Sequence, residues 1–208
     1  HTHPDHSPAW QAVAQATGAQ VIGASPPDDM FQDKTFEPTQ EVQHDFVLAT
    51  TEFTLRAVHT PGHVGNHYCY LLEEEGMLFA GDHIMNGSTV VIIPPSGDMK
   101  AYIESLQLLL QYPLKFIAPG HGDVMPEPAA VVARDILALA PQFDAIAANK
   151  SLSSAALADL MVSVEAIEST ASGLLIATNA RHGEVKVEER QHVDHLYLQI
   201  AISAAGLT

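Results

Sequence analysis

The chain has 208 residues, with 25 acidic side chains against nine Lys plus Arg and a formal charge of −16. Repulsion on that scale, with no local basic patch, excludes DNA as a partner and disfavours RNA. No apolar run is long enough to span a membrane, and Cys69 stands alone, which rules out an internal disulfide and favours a reducing, cytoplasmic setting.

The first six residues, His1-Thr2-His3-Pro4-Asp5-His6, hold three imidazoles and a carboxylate. Imidazole is the commonest nitrogen ligand of zinc, and packing does not explain this density. An extended or tightly turned segment can aim His1 and His3 at one ion. Asp5 and His6, past a stiffening proline, can face a second. The rival reading is a tag remnant or a solvated turn, and it leaves the interspersed Asp unexplained. Ser7-Pro8 reads as an N-cap with proline at the first helical position, opening a short helix from Ala9 to Thr17 that stops at Gly18. Gln20 to Ala24 is a short buried strand. Residues 25–43, rich in Pro, Asp and Phe, form a long loop that either borders a cleft or lies plainly on the surface.

Phe46 to Leu48 and Phe53 to Val58 read as a hairpin, with Phe53, Leu55 and Ala57 alternating to one face. The second strand delivers His63 in Thr60-Pro61-Gly62-His63. Tyr68 to Leu72 and Met77 to Ala80 form another hairpin, turning at Glu75-Gly76 and delivering Asp82 in Gly81-Asp82-His83. Cys69, inside an apolar strand, reads as a buried inert thiol. Asp98 caps a helix to about Gln111, apolar at Ile103, Leu106, Leu109 and Leu110. Lys115 to Ala118 is the next strand, delivering His121 in Pro119-Gly120-His121-Gly122. Each of these later ligand candidates stands beside glycine where a strand pattern stops, which suits a site built on loops over a rigid sheet.

Past Pro128 the character changes, giving a division into 1–128 and 129–208. A helix is expected from Ala129 to about Ala148, broken or kinked near Pro141, then helices over Ser153–Val162 and Glu165–Arg181. Val185 to Ile200 resembles a hairpin. Helix, helix, hairpin fits a winged-helix-like module, but Glu165 and Glu168 against a lone Arg181 do not suit a nucleic-acid reader. Leu157, Leu160, Leu174, Leu175 and Ile176 offer it a packing surface, on the first domain or in a homo-oligomer.

In this order, the HxHxDH, PGH, GD and GHG stretches resemble those of the metallo-beta-lactamase superfamily. Gly87 to Ile92 and Pro94 to Met99 resemble the lactamase-beta-2-like hydrolases, which carry a C-terminal winged-helix-like extension. The resemblance implies an α+β fold, the αββα sandwich. Its first strands precede the HxHxDH motif, so an upstream segment is expected here, and the chain alone should leave one sheet face apolar and open. The resemblance also implies two divalent metal ions. His1, His3 and His63 would hold the first, Asp5, His6 and His121 the second, and Asp82 would bridge them. Zinc suits the ligands best, and iron or manganese is accepted. The ions would share a water whose pKa falls toward neutrality, with Asp5 orienting it or carrying a proton to the leaving group.

His83, next to Asp82, and Asn66 are candidate substrate contacts. His59 and His67 either brace ligands or finish strands, with the structural role favoured. The best-known zinc beta-lactamases carry Cys where Asp82 stands, which argues against antibiotic hydrolysis, and the basic glutathione-binding residues of glyoxalase II have no match. What remains is a hydrolase of a small-molecule ester, thioester or lactone. The alternatives are an RNA-cleaving endoribonuclease, opposed by the charge, and a non-catalytic metal-binding or redox scaffold.

Overall fold

The structure is a computed structural model and describes residues 1–88 and 90–148. The chain divides into two compact units, His1–Pro126 and Glu127–Thr208.

The first unit opens with the ligand-rich turn and α1 (Trp10–Thr17). The Ser7 hydroxyl does not cap this helix as its sequence suggests. It donates to Asp33 Oδ2 at 2.8 Å, tying the turn to the long loop, and Ala9 takes the N-cap position without a side-chain bond. Gly18 ends the helix in the left-handed region, with its N–H on Ala14 O at 2.8 Å. β1 (Ile22–Gly23) pairs in parallel with β2 (Gln40–Glu41), a strand inside the stretch expected to be all loop.

The main sheet has six strands in sequence order: β3 (Phe46–Ala49), β4 (Thr54–His59), β5 (Tyr68–Leu72), β6 (Met77–Gly81), β7 (Phe116–Pro119) and β8 (Met125–Pro126). The first four are antiparallel. β7 then joins β6 in parallel after a crossover through α2 (Met99–Leu109), and β8 returns antiparallel. Alternation sorts the side chains. Val58, Cys69, Leu71, Leu78, Ala80 and Ile117 are fully or almost fully buried on one face, while Phe79 and Phe116 on the other are 46 and 40 % exposed. The six-stranded sheet and the β1–β2 pair are the sheets among the described residues, so a second large layer of the expected sandwich is not among them.

Asp98 caps α2 as expected, its Oδ1 accepting from the Ala101 N–H at 2.9 Å. The helix also braces a ligand loop. Ser105 Oγ donates to Pro61 O at 2.8 Å, and the Asp98 N–H donates to Gly62 O at 2.8 Å, immediately before His63.

In the second unit the described element is α3 (Pro128–Ala148), with Val132, Ala133, Ile136 and Leu139 buried. The helix runs without a break through Pro141, where a break or kink was expected. The expected helices over 153–162 and 165–181 and the hairpin over 185–200 lie outside the described residues.

Leu78 sits in register with Leu71 and Ile117 at the buried centre of the sheet. Leu78→Ala should therefore cost about 2–5 kcal/mol in chemical denaturation, and Phe79→Ala on the half-open face clearly less. Equal losses would contradict this assignment of faces.

Candidate metal centre

Three strand ends and one turn meet at a single point. In the N-terminal stretch the side chains alternate. Thr2 is 2 % exposed and turned inward, donating to Gln32 Oε1 at 2.7 Å, so His1 and His3 face together to the other side. A tight turn, with the His6 N–H on His3 O at 2.9 Å, then brings Asp5 and His6 back to the same place. β4 leads to His63, β6 ends at Gly81 and presents Asp82, and β7 leads to His121.

Three ring nitrogens converge at one end. His3 Nδ1 lies 3.1 Å from His1 Nε2 and 3.0 Å from His63 Nε2. The other nitrogen of His63 donates to the Val91 carbonyl at 2.5 Å, which leaves Nε2 as a bare lone pair. Burial lowers the pKa of both His3 and His63, keeping these rings neutral. At the other end Asp5 Oδ2 is 3.3 Å from His121 Nε2 and 3.6 Å from His6 Nε2.

Asp82 stands between the two groups. Its Oδ2 is 3.2 Å from His6, 3.8 Å from His1 and 3.9 Å from His63, whereas Oδ1 is 3.6 Å from His121. Burial alone would raise this carboxyl. The His6 hydrogen bond and the electrostatic pull of the neighbouring imidazoles outweigh burial and hold its pKa below the usual value. Asp82 Oδ1 and His1 Nδ1 are nonetheless buried without a hydrogen-bond partner.

These features fit a pair of divalent cations. Converging neutral lone pairs repel one another unless a cation lies among them, and a buried carboxylate oxygen without a donor needs positive charge. Among the described residues, three sets of donors lie within 4.8 Å of one another: His1, His3 and His63; His1, His6 and Asp82; and Asp5, His6 and His121. Space is reserved as well. A Cβ on Gly120 would come within 2.6 Å of Asp82 Oδ1 and 2.9 Å of His6 Cε1, so only glycine fits there.

The centre is sealed on one side and open on the other. The His1 side chain is 0 % exposed, while those of His121 and Asp5 are 49 and 60 % exposed. Beside His3 and His63 lies a recess of about 170 Å³, walled by Phe31, Val91 and Ile93. The loop carrying Phe31 thus borders the site. A polar chain fastens it there, with Gln32 Nε2 donating to Asp29 Oδ2 at 3.0 Å and Ser96 Oγ donating to the same oxygen.

Two sequence expectations are corrected. His83 does not face the open side. It is fully buried edge-on to the Tyr102 ring at 4.8 Å, and burial pushes its pKa down to about 3. The turn that presents Asp82, with the His83 N–H on Ala80 O, rotates the next residue inward. Asn66 is also buried, and its Nδ2 donates to Thr2 Oγ1 at 2.9 Å and Ser25 O at 3.3 Å, so it ties loops together. His59 finishes β4 and reaches Gly65 O at 2.9 Å. For His67 the less favoured of the two expectations, bracing a ligand, fits: it lies under Asp82, its Nε2 accepting the Asp82 N–H at 3.2 Å. Phe31 lies in the 25–43 loop, for which a cleft border was one of the two expectations, and Val91 in the 87–92 stretch, but nothing in the sequence singles out these residues or Ile93 as walls of the site.

The model of the metallo-beta-lactamase superfamily matches residues 1–121, and the chain belongs to that superfamily. Among curated proteins it is 31 % identical over 136 residues to thioesterase pkgB of Emericella nidulans, covering 65 % of this chain and 36 % of that protein. It is 35 % identical over 97 residues to an atrochrysone carboxyl ACP thioesterase of the same organism, covering 47 % of this chain and 30 % of that one. The chain thus spans about a third of the length of these relatives. Among solved structures, BLEG-1 B3 metallo-beta-lactamase matches with a TM-score of 0.53 at 23 % identity, over 61 % of this chain and 68 % of that one, a likeness of fold alone.

Gly120→Ala should weaken metal retention by on the order of tenfold or more while leaving cooperative unfolding intact. Elemental analysis after dialysis, paired with thermal unfolding, checks this; unchanged metal content would show that the cleft between Asp82 and His6 tolerates a methyl group.

Proposed function

We propose that this chain carries the reaction centre of a hydrolase that cleaves a small-molecule thioester, or a related ester or lactone. The observation that carries the reading is the Asp82 carboxylate, shared between two donor groups that open to solvent at Asp5 and His121. The thioesterase names of the two fungal relatives favour a thioester over the other acyl bonds.

In this reading His1, His3 and His63 would hold one divalent ion, Asp5, His6 and His121 the other, and Asp82 would bridge them. Zinc suits the donor set best, with iron and manganese accepted. When bound, such ions supply Lewis acidity that polarises a carbonyl and lowers the pKa of water. The chain's own residues do the rest. The Val91 carbonyl fixes the His63 ring, so its Nε2 is held in place before any ligand arrives. Asp5, at the exposed rim, takes up the proton released as water adds to the acyl carbon and returns it to the departing sulfur. The C–S bond breaks, and the products are a carboxylic acid and a thiol. The recess walled by Phe31, Val91 and Ile93 offers an apolar surface on the His3–His63 side, which suits an uncharged acyl group.

The proposal extends to a helical winged-helix-like module over 129–208 that binds no nucleic acid, a cytoplasmic location, and self-association through that module. Low-salt gel shifts and sedimentation test the first and last of these, and micromolar affinity for DNA or RNA would overturn the former.

The purified chain should hydrolyse acyl thioesters, lose activity to a chelator and recover it with zinc, iron or manganese. Asp82→Ala should reduce the rate by at least about 100-fold and release metal. Cleavage of single-stranded RNA that falls steeply with salt, with thioesters left intact, would replace this reading with the endoribonuclease one.

A further inference from the structure

Beneath Asp82 runs a closed chain of buried hydrogen bonds. The Asp82 backbone N–H can only donate, so His67 Nε2, 3.2 Å away, must be the acceptor. A neutral ring with a bare Nε2 carries its proton on Nδ1, and that N–H points to Thr60 Oγ1 at 2.9 Å. Having accepted, the Thr60 hydroxyl has its own hydrogen free for Cys69 Sγ at 3.3 Å. The Cys69 thiol donates in turn to the Ala80 carbonyl at 3.6 Å. The path leaves the chain at Asp82, just past β6, and returns to β6 at Ala80. His67, Thr60 and Cys69 are all 0 % exposed.

The backbone is shaped to admit the ring. Gly81 has φ +50°, and a Cβ there would stand 2.8 Å from His67 Nε2. Contact between ring and peptide is therefore built into β6 at a residue where only glycine serves without strain. His67 is also stacked at 5.1 Å on His1, while its proton and lone pair are both spent on the relay. It has no nitrogen left for a metal ion.

We propose that His67 is a positioning residue for Asp82, locked as its Nδ1-protonated tautomer by the Thr60–Cys69 relay so that the Gly81–Asp82 peptide is fixed and the carboxylate is split between the two donor groups. This rests on the two-metal reading of the centre. The thiol of Cys69 thereby gains a role that needs no reactivity; burial pushes its pKa up to about 12, so it stays a protonated donor.

Amide side chains separate this role from mere space filling. The Gln carboxamide falls where Nε2 stood and can accept the Asp82 N–H, whereas the Asn carboxamide falls near Nδ1 and reaches only Thr60. His67→Asn should weaken metal affinity in chelator competition by on the order of tenfold to a hundredfold, and His67→Gln should recover most of it. Thr60→Val, which keeps the shape and removes the hydroxyl, should shift affinity the same way by less. In the metal-free chain, the long-range ¹⁵N–¹H spectrum of the His67 ring, assigned by its absence from His67→Gln, should show the proton on Nδ1. A proton on Nε2, or equal metal affinity for Asn and Gln, would overturn the proposal. An unsubstituted chain that held no metal would instead overturn the two-metal reading, and the ring spectrum would still decide the relay.

Discussion

The structure turns on one carboxylate that has to face two ways. Asp82 is mostly buried, and a buried anion is costly unless cationic or donor groups surround it. Here four imidazoles surround it, with Oδ2 toward His1, His6 and His63 and Oδ1 toward His121. Burial favours the neutral form of His63 and of His3 beside it. Neutral rings with converging lone pairs leave the anion under-compensated. Two dications, if bound as proposed, would resolve both problems together and would then serve the fold as well as the chemistry.

Holding such a centre requires its supports to be stiffer than its ligands. The strands that deliver His63, Asp82 and His121 share the sealed face of the sheet, where Val58, Leu71, Leu78 and Ile117 leave almost no exposed surface. α2 locks the His63 loop through Ser105 and Asp98, and Asn66 and Gln32 lock the N-terminal turn through Thr2. The His63 loop and the N-terminal turn are thus tied down by contacts other than a metal. That arrangement keeps the donors close together before an ion arrives.

The sequence discloses the chemistry more readily than the supports. Ligand types are rare and clustered, so His1 to His6, His63, Asp82 and His121 stand out, and strand alternation places most of the sheet within a residue or two. What stays hidden depends on partners far away in the chain. Ser7 looks like a cap until Asp33 claims its hydroxyl. His83 looks exposed until the turn after β6 points it at Tyr102. His59 and His67 look equivalent on either side of His63, and only their place in the fold tells them apart: His59 ends β4, while His67 stands just before β5 with its ring against the Asp82 N–H. β2 and β8 are two residues each, too short for any period to show.

Charge gives the open side of the centre its character. The chain's −16 draws cations from solution and repels polyanions at a distance. Two bound dications against Asp5 and Asp82 would leave the centre locally positive, so attraction for an electron-rich carbonyl would act over a few ångströms and not across the surface. A substrate that is uncharged near its scissile bond crosses the outer field without penalty and meets the positive charge only at contact. A nucleic acid would meet the repulsion first along its whole length. In the hydrolase reading proposed above, the field outside and the field inside would favour the same thing, a compact acyl compound whose polarity is concentrated at the bond to be broken.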